Sequence, residues 1–234
     1  MAKLLGVHVA IDDATVYASA WDSMLMAEAR AVGHETRELT GAMVTPYGLL
    51  SSMEGYLPDL VILAGHGSSS TFLGAGYQVV LQACLNDGMM KGSQCMFISC
   101  LSGLVLVPSI VSKGGIVATG FTREYTFMID GSGYPATDRY AASFTRIWVE
   151  SCRVIFRGGS WQDFYAAWKR LSDEEIARWG ASSDPLAASV ILCLRQNRNS
   201  LVVNGAGTLE EPEPGVAGLP ILPVLAIAAF LKLK

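Results

Sequence analysis

The feature that most constrains the fold is a set of short, largely apolar runs that end in small or polar residues, at positions 4–11, 60–64, 96–99 and 116–120. A strand that is apolar at every position has both faces covered, as in a parallel sheet with helices above and below it. Between these runs, apolar residues recur at helical spacing over 20–32, 77–90 and 104–111, and Gly33 supplies a stop for the first of them. Residues 34–39 read as a further strand at the sheet edge, 140–149 and 161–171 as amphipathic helices, and 190–194 as a late strand. Strands alternating with helices predict an α/β chain whose mostly parallel sheet is built by right-handed crossovers. Such sheets place their ligands beyond the carboxyl ends of the strands.

Two of those carboxyl ends carry reactive side chains. The run 60–64 leads into Gly65-His66-Gly67, and the run 96–99 into Ser99-Cys100-Leu101-Ser102-Gly103. An imidazole and a thiol therefore leave neighbouring strands on one edge of the sheet. That pair suits acyl transfer: His66 accepts the thiol proton, Cys100 attacks a carbonyl, and the imidazolium returns the proton to the leaving amine. The backbone amides of Gly67 and Cys100, where the chain turns, are the expected oxyanion donors. Glycines on both sides of His66 allow a substrate backbone to come close.

The two motifs together resemble the caspase, metacaspase and gingipain group of cysteine peptidases. Ala64-Gly65-His66-Gly67 is similar to the metacaspase Ser-Gly-His-Gly, and Ser99-Cys100-Leu101-Ser102-Gly103 to Ser-Cys-His-Ser-Gly. The resemblance covers about residues 3–125. It implies a caspase-like three-layer fold, a cysteine endopeptidase with His66 and Cys100 as its dyad, a protein or peptide substrate and no cofactor. The dyad spacing (100 − 66 = 34) is shorter than the roughly fifty residues of caspases and leaves room for one helix and its loops. Metacaspases usually carry an acidic residue two places before the nucleophile, where this chain has Ile98.

Through the same resemblance, residues at the end of the first strand line the specificity pocket. Asp12 and Asp13 would then pair with a substrate Arg or Lys through charge-assisted hydrogen bonds; with equal force they read as helix or turn caps. The strand 115–120 and its continuation Phe121-Thr122-Arg123 resemble the edge that holds an extended substrate. Only a short stretch separates Cys100 from that strand, so a single-chain enzyme is expected rather than one split into two subunits.

The rest of the composition narrows the choice. Seventeen basic against twenty-one acidic residues, with no basic run, argue against nucleic acid as a partner. Five cysteines, without a CxxC pair, fit neither a disulfide framework nor a structural zinc site. Asp130 and Asp138 form no calcium loop, so no metal is assigned. His8 and His34 are given no role. Gly65-His66-Gly67-Ser68 lacks the lysine of a phosphate loop, and the chain has no Gly-x-Ser-x-Gly elbow.

Three segments follow: a peptidase domain over 1–204, an acidic Gly/Pro linker over 205–215, and a hydrophobic tail over 216–234. The apolar N-terminal run is broken by His8 and closed by Asp12-Asp13, which points to a strand in a cytoplasmic protein rather than a leader. Positions 216–231 are sixteen uncharged residues, just under the about 17–25 of a spanning helix. They read either as a membrane anchor or as a surface that docks on another subunit, giving a homo-oligomer. The competing function is a catalytically silent caspase-like scaffold for assembly or membrane association.

Overall fold

The computed structural model describes residues 1–209. In chain order these form β1 (Lys3–His8), α1 (Asp13–Ala31), β2 (Glu35–Thr40), α2 (Pro46–Tyr56), β3 (Leu60–Ala64), β4 (Thr71–Leu73), β5 (Val79–Gln82), β6 (Gln94–Ile98), α3 (Leu106–Ser112), β7 (Val117–Phe121), α4 (Ala141–Phe156), α5 (Trp161–Gly180), α6 (Ala187–Ser200) and β8 (Leu201–Gly205). Six strands make one sheet in the order β2-β1-β3-β6-β7-β8, and β4 pairs with β5 as a separate antiparallel hairpin. Within the large sheet every pair is parallel except β7 with β8.

The apolar runs have the physical cause expected of them. Alternate residues of one strand enter two separate cores. Leu60, Ile62 and Ala64 of β3, with Met96 and Ile98 of β6, join α1, α4 and α5 on one face. Val61 and Leu63, with Cys95 and Phe97, join α2 and α3 on the other. The first core is aromatic: Trp148 and Trp168 meet at 4.7 Å between ring centroids, with Phe121 against both. The result is the α/β architecture expected from the sequence, a mostly parallel sheet with helices on both faces, and it is consistent with a caspase-like fold.

Several expected elements change. Residues 77–90 are no helix; they hold the end of a 3-10 turn, β5 and a second 3-10 turn. Gly76 and Tyr77 both have positive φ (62° and 60°), which no α-helix accommodates. Residues 190–194 are no strand; they lie inside α6, where Ala187, Val190 and Leu194 are buried at helical spacing while Leu192 is 68% exposed. The first residues of the expected linker are packed: Thr208 bridges to Ser160, its carbonyl accepts Gln94 Nε2 (2.8 Å), and Leu209 is buried. The acidic stretch and the hydrophobic tail lie outside the described residues. Among the described residues no helix is long and apolar enough to cross a membrane.

Candidate functional site

His66 and Cys100 leave the sheet at the same level. β3 and β6 are parallel with Ala64 opposite Ile98, and His66 and Cys100 each follow two residues later. A bond from Gly65 N–H to the Ile98 carbonyl (3.1 Å) carries the pairing one step past the strands. After Cys100 the chain turns sharply. Leu101 has φ 60°, and its amide donates to the Arg123 carbonyl (3.1 Å). A leucine held in the left-handed region costs about 1–3 kcal/mol, a strain often found at functional turns.

Asp12 lies at the same edge because β1 ends beside β3, His8 opposite Ala64, and α1 begins five residues later. Its carboxylate does two things at once. Oδ1 accepts Thr15 N–H (2.9 Å), making Asp12 the N-cap of α1 within a capping box. Oδ2 lies 2.5 Å from His66 Nε2. Partial burial pushes the Asp12 carboxyl up, but the hydrogen bonds from His66 and Thr15 prevail and hold it well below the usual carboxylate range. It is an anion facing the imidazole, so Nε2 carries a proton toward it, and in the neutral tautomer Nδ1 holds the lone pair.

Cys100 is half-buried, and its thiol donates a long hydrogen bond to the Tyr125 carbonyl (3.9 Å). Among the described residues no hydrogen bond joins it to His66. Burial raises its pKa, the hydrogen bond with the Tyr125 backbone opposes this and the Glu124 carboxylate adds to it; the net shift is upward, so the resting group is a thiol. Neighbouring Cys95 is fully buried with its pKa pushed up to about 12, which removes it as a nucleophile.

The amides expected to form the oxyanion hole are unspent. Gly67 faces Phe72 across an antiparallel bridge whose bonds run from Ser68 to Thr71 and from Leu73 to His66. Gly67 N–H takes no part in them. Among the described residues neither it nor Cys100 N–H donates to a protein acceptor. Only glycine fits at 67, since a Cβ there would sit 2.2 Å from Ser99 Oγ and 2.6 Å from the Thr71 carbonyl.

The assigned substrate contacts divide. Asp12 takes the cap reading, closing the first turn of α1, and also meets His66. Phe121 is corrected: its side chain is fully buried among Tyr125, Trp148 and Trp168 and faces the core. Asp13 is exposed on the first turn of α1, with no side-chain hydrogen bond or ion pair among the described residues. Sequence reasoning missed Tyr77, whose ring stacks on His66 and whose hydroxyl reaches Asp12. It lies eleven positions past the histidine, with no local pattern to mark it.

No protein-family model matches this sequence, and no curated protein matches it. Solved structures do match in fold. One is the complex of Porphyromonas gingivalis RgpB pro- and mature domains, with a TM-score of 0.51 at 12% identity. The alignment covers 90% of this chain and 47% of that one, so this chain spans about half the length of its structural neighbour. At that identity the likeness is one of fold.

Proposed function

We propose that the chain is a cysteine endopeptidase of caspase-like type, with Cys100 as nucleophile, His66 as general base and acid, and Asp12 as the group that orients His66. The observation that carries the reading is the convergence at one sheet edge of a thiol, an imidazole paired to a carboxylate, and two uncommitted amides. Substrate binding brings the scissile carbonyl between Cys100 and the Gly67 and Cys100 amides. The thiol proton passes to His66 Nδ1, sulfur bonds to the carbonyl carbon, and the amides hold the developing oxyanion. Collapse breaks the C–N bond as the imidazolium protonates the leaving amine. Water, deprotonated by His66, then hydrolyses the thioester and regenerates the thiol. The protonated resting thiol favours proton transfer in the presence of substrate over a standing thiolate–imidazolium pair.

That same resting thiol, bonded to Tyr125 rather than His66, supports a second reading in which the chain is a silent caspase-like scaffold. Digestion of a peptide library with varied residues before the cleaved bond separates the two. The peptidase reading expects cleavage that disappears in both Cys100→Ala and His66→Ala; cleavage of no peptide by the wild-type chain leaves the scaffold.

A further inference from the structure

Tyr77 occupies a position that packing does not explain. The residue is 55% exposed, yet its backbone sits in the left-handed region (φ 60°), which a tyrosine adopts only where its surroundings impose it. The surroundings do so through the turn after β4. Ala75 N–H donates to the Val44 carbonyl (3.0 Å), Tyr77 N–H to the Gly74 carbonyl (3.1 Å), and Gly74 N–H to the Gln78 carbonyl (2.9 Å). A Cβ on Gly74 would stand 2.2 Å from the Val44 oxygen, so the turn is pressed against the segment before α2 and requires glycine there. From this pinned turn the Tyr77 ring stacks on His66 (centroids 5.8 Å apart, planes 19° apart). Its hydroxyl donates to Asp12 Oδ2 (3.1 Å), the same oxygen that meets His66 Nε2.

We propose that Tyr77 is a positioning residue that clamps the His66–Asp12 pair, its ring restricting rotation of the imidazole and its hydroxyl fixing the carboxylate that orients it. The proposal rests on the peptidase reading for its catalytic consequence, but the clamp itself is a property of three side chains. Hydrogen bonding to Asp12 raises the pKa of the phenol, which keeps it a neutral donor. Tyr77→Phe retains the stack and loses the hydroxyl; Tyr77→Ala loses both.

Two readouts test this on the full chain. The first is the rate of labelling by peptidyl acyloxymethyl ketones. Tyr77→Phe should slow it about 3- to 10-fold and Tyr77→Ala about 10- to 100-fold, on the scale by which misplacing a catalytic group slows a reaction. In an Asp12→Asn background Tyr77→Phe should have no further effect, a coupling that a merely structural residue would not show. The second readout does not depend on activity: acylation of His66 by diethyl pyrocarbonate, read by peptide mass spectrometry. His66 should react several-fold faster in Tyr77→Ala, while buried His8 and His34 stay unchanged as internal references. Wild-type labelling rates in Tyr77→Phe, or an unchanged His66 acylation rate in Tyr77→Ala, would overturn the proposal. A wild-type chain inert to every ketone would instead sink the peptidase reading, and the acylation rate would then decide the clamp alone.

Discussion

Replacing Asp12 by asparagine should silence the site without loosening the fold, and the reason can be followed atom by atom. Asp12 Oδ1 accepts the Thr15 amide (2.9 Å), a donor that cannot reverse its role. An asparagine at 12 must therefore keep its carbonyl oxygen on that side and turn its NH2 toward His66. The NH2 then donates to Nε2, which forces the imidazole proton onto Nδ1 and removes the lone pair that would take the Cys100 proton. General base catalysis contributes about 10²- to 10⁴-fold, and kcat/KM for peptide hydrolysis should fall by that much. Asparagine caps helices as well as aspartate does, so the melting temperature should hold. Asp12→Ala is the counterpart: it loses the cap as well, about 1 kcal/mol, or about 2–4 °C for a domain of this size. Thermal melts and peptide hydrolysis on the two variants separate the roles. Asp12→Asn retaining hydrolysis within about threefold of wild type would refute the assignment of Asp12 as the orienting group.

Two further outcomes follow from buried groups. Asp22 is fully buried, with no side-chain hydrogen bond and His8 Nε2 4.0 Å from its Oδ2; burial and the Glu38 carboxylate outweigh the Val7 backbone and raise its pKa well above the usual range. It is protonated when folded and ionised when unfolded, so stability should fall as pH rises above about 4 toward its folded pKa, by up to about 1.4 kcal/mol per pH unit. Urea unfolding at several pH values should show that slope in the wild type and its loss in Asp22→Asn; identical slopes would contradict it. Without substrate, Cys100 should react with iodoacetamide more slowly than exposed Cys84 at neutral pH, its rate still climbing above pH 9 because burial raises the pKa of its thiol. A rate that levels off below pH 7 would indicate a standing thiolate instead.

The central strands were legible because burial on both faces leaves few polar positions in them, as Leu60–Ala64 illustrates. That His66 and Cys100 stand at one level was legible for a related reason, since the register of two parallel strands carries the residues two places past their ends to the same height. Elements whose pattern arises from local backbone geometry were not. Val79, Val80, Met89 and Met90 imitate helical spacing, and only the positive φ at Gly76 and Tyr77 betrays the hairpin. The run Val190-Ile191-Leu192-Cys193-Leu194 imitates a buried strand, although its middle residue faces solvent from a helix. At Asp12 the cap could be read from its neighbours. Its bond to His66 spans 54 residues and its bond to Tyr77 spans 65, distances over which one sequence carries no signal.

The most direct test of the central claim is the site of modification when wild-type protein meets a limiting amount of a peptidyl acyloxymethyl ketone. Cys84 is the exposed thiol and Cys100 only half-exposed, so simple accessibility favours Cys84. Mass spectrometry of the digested adduct should find the peptide on Cys100, with that adduct absent in His66→Ala. An adduct on Cys84, or one on Cys100 that persists without His66, would contradict a peptidase built on this pair.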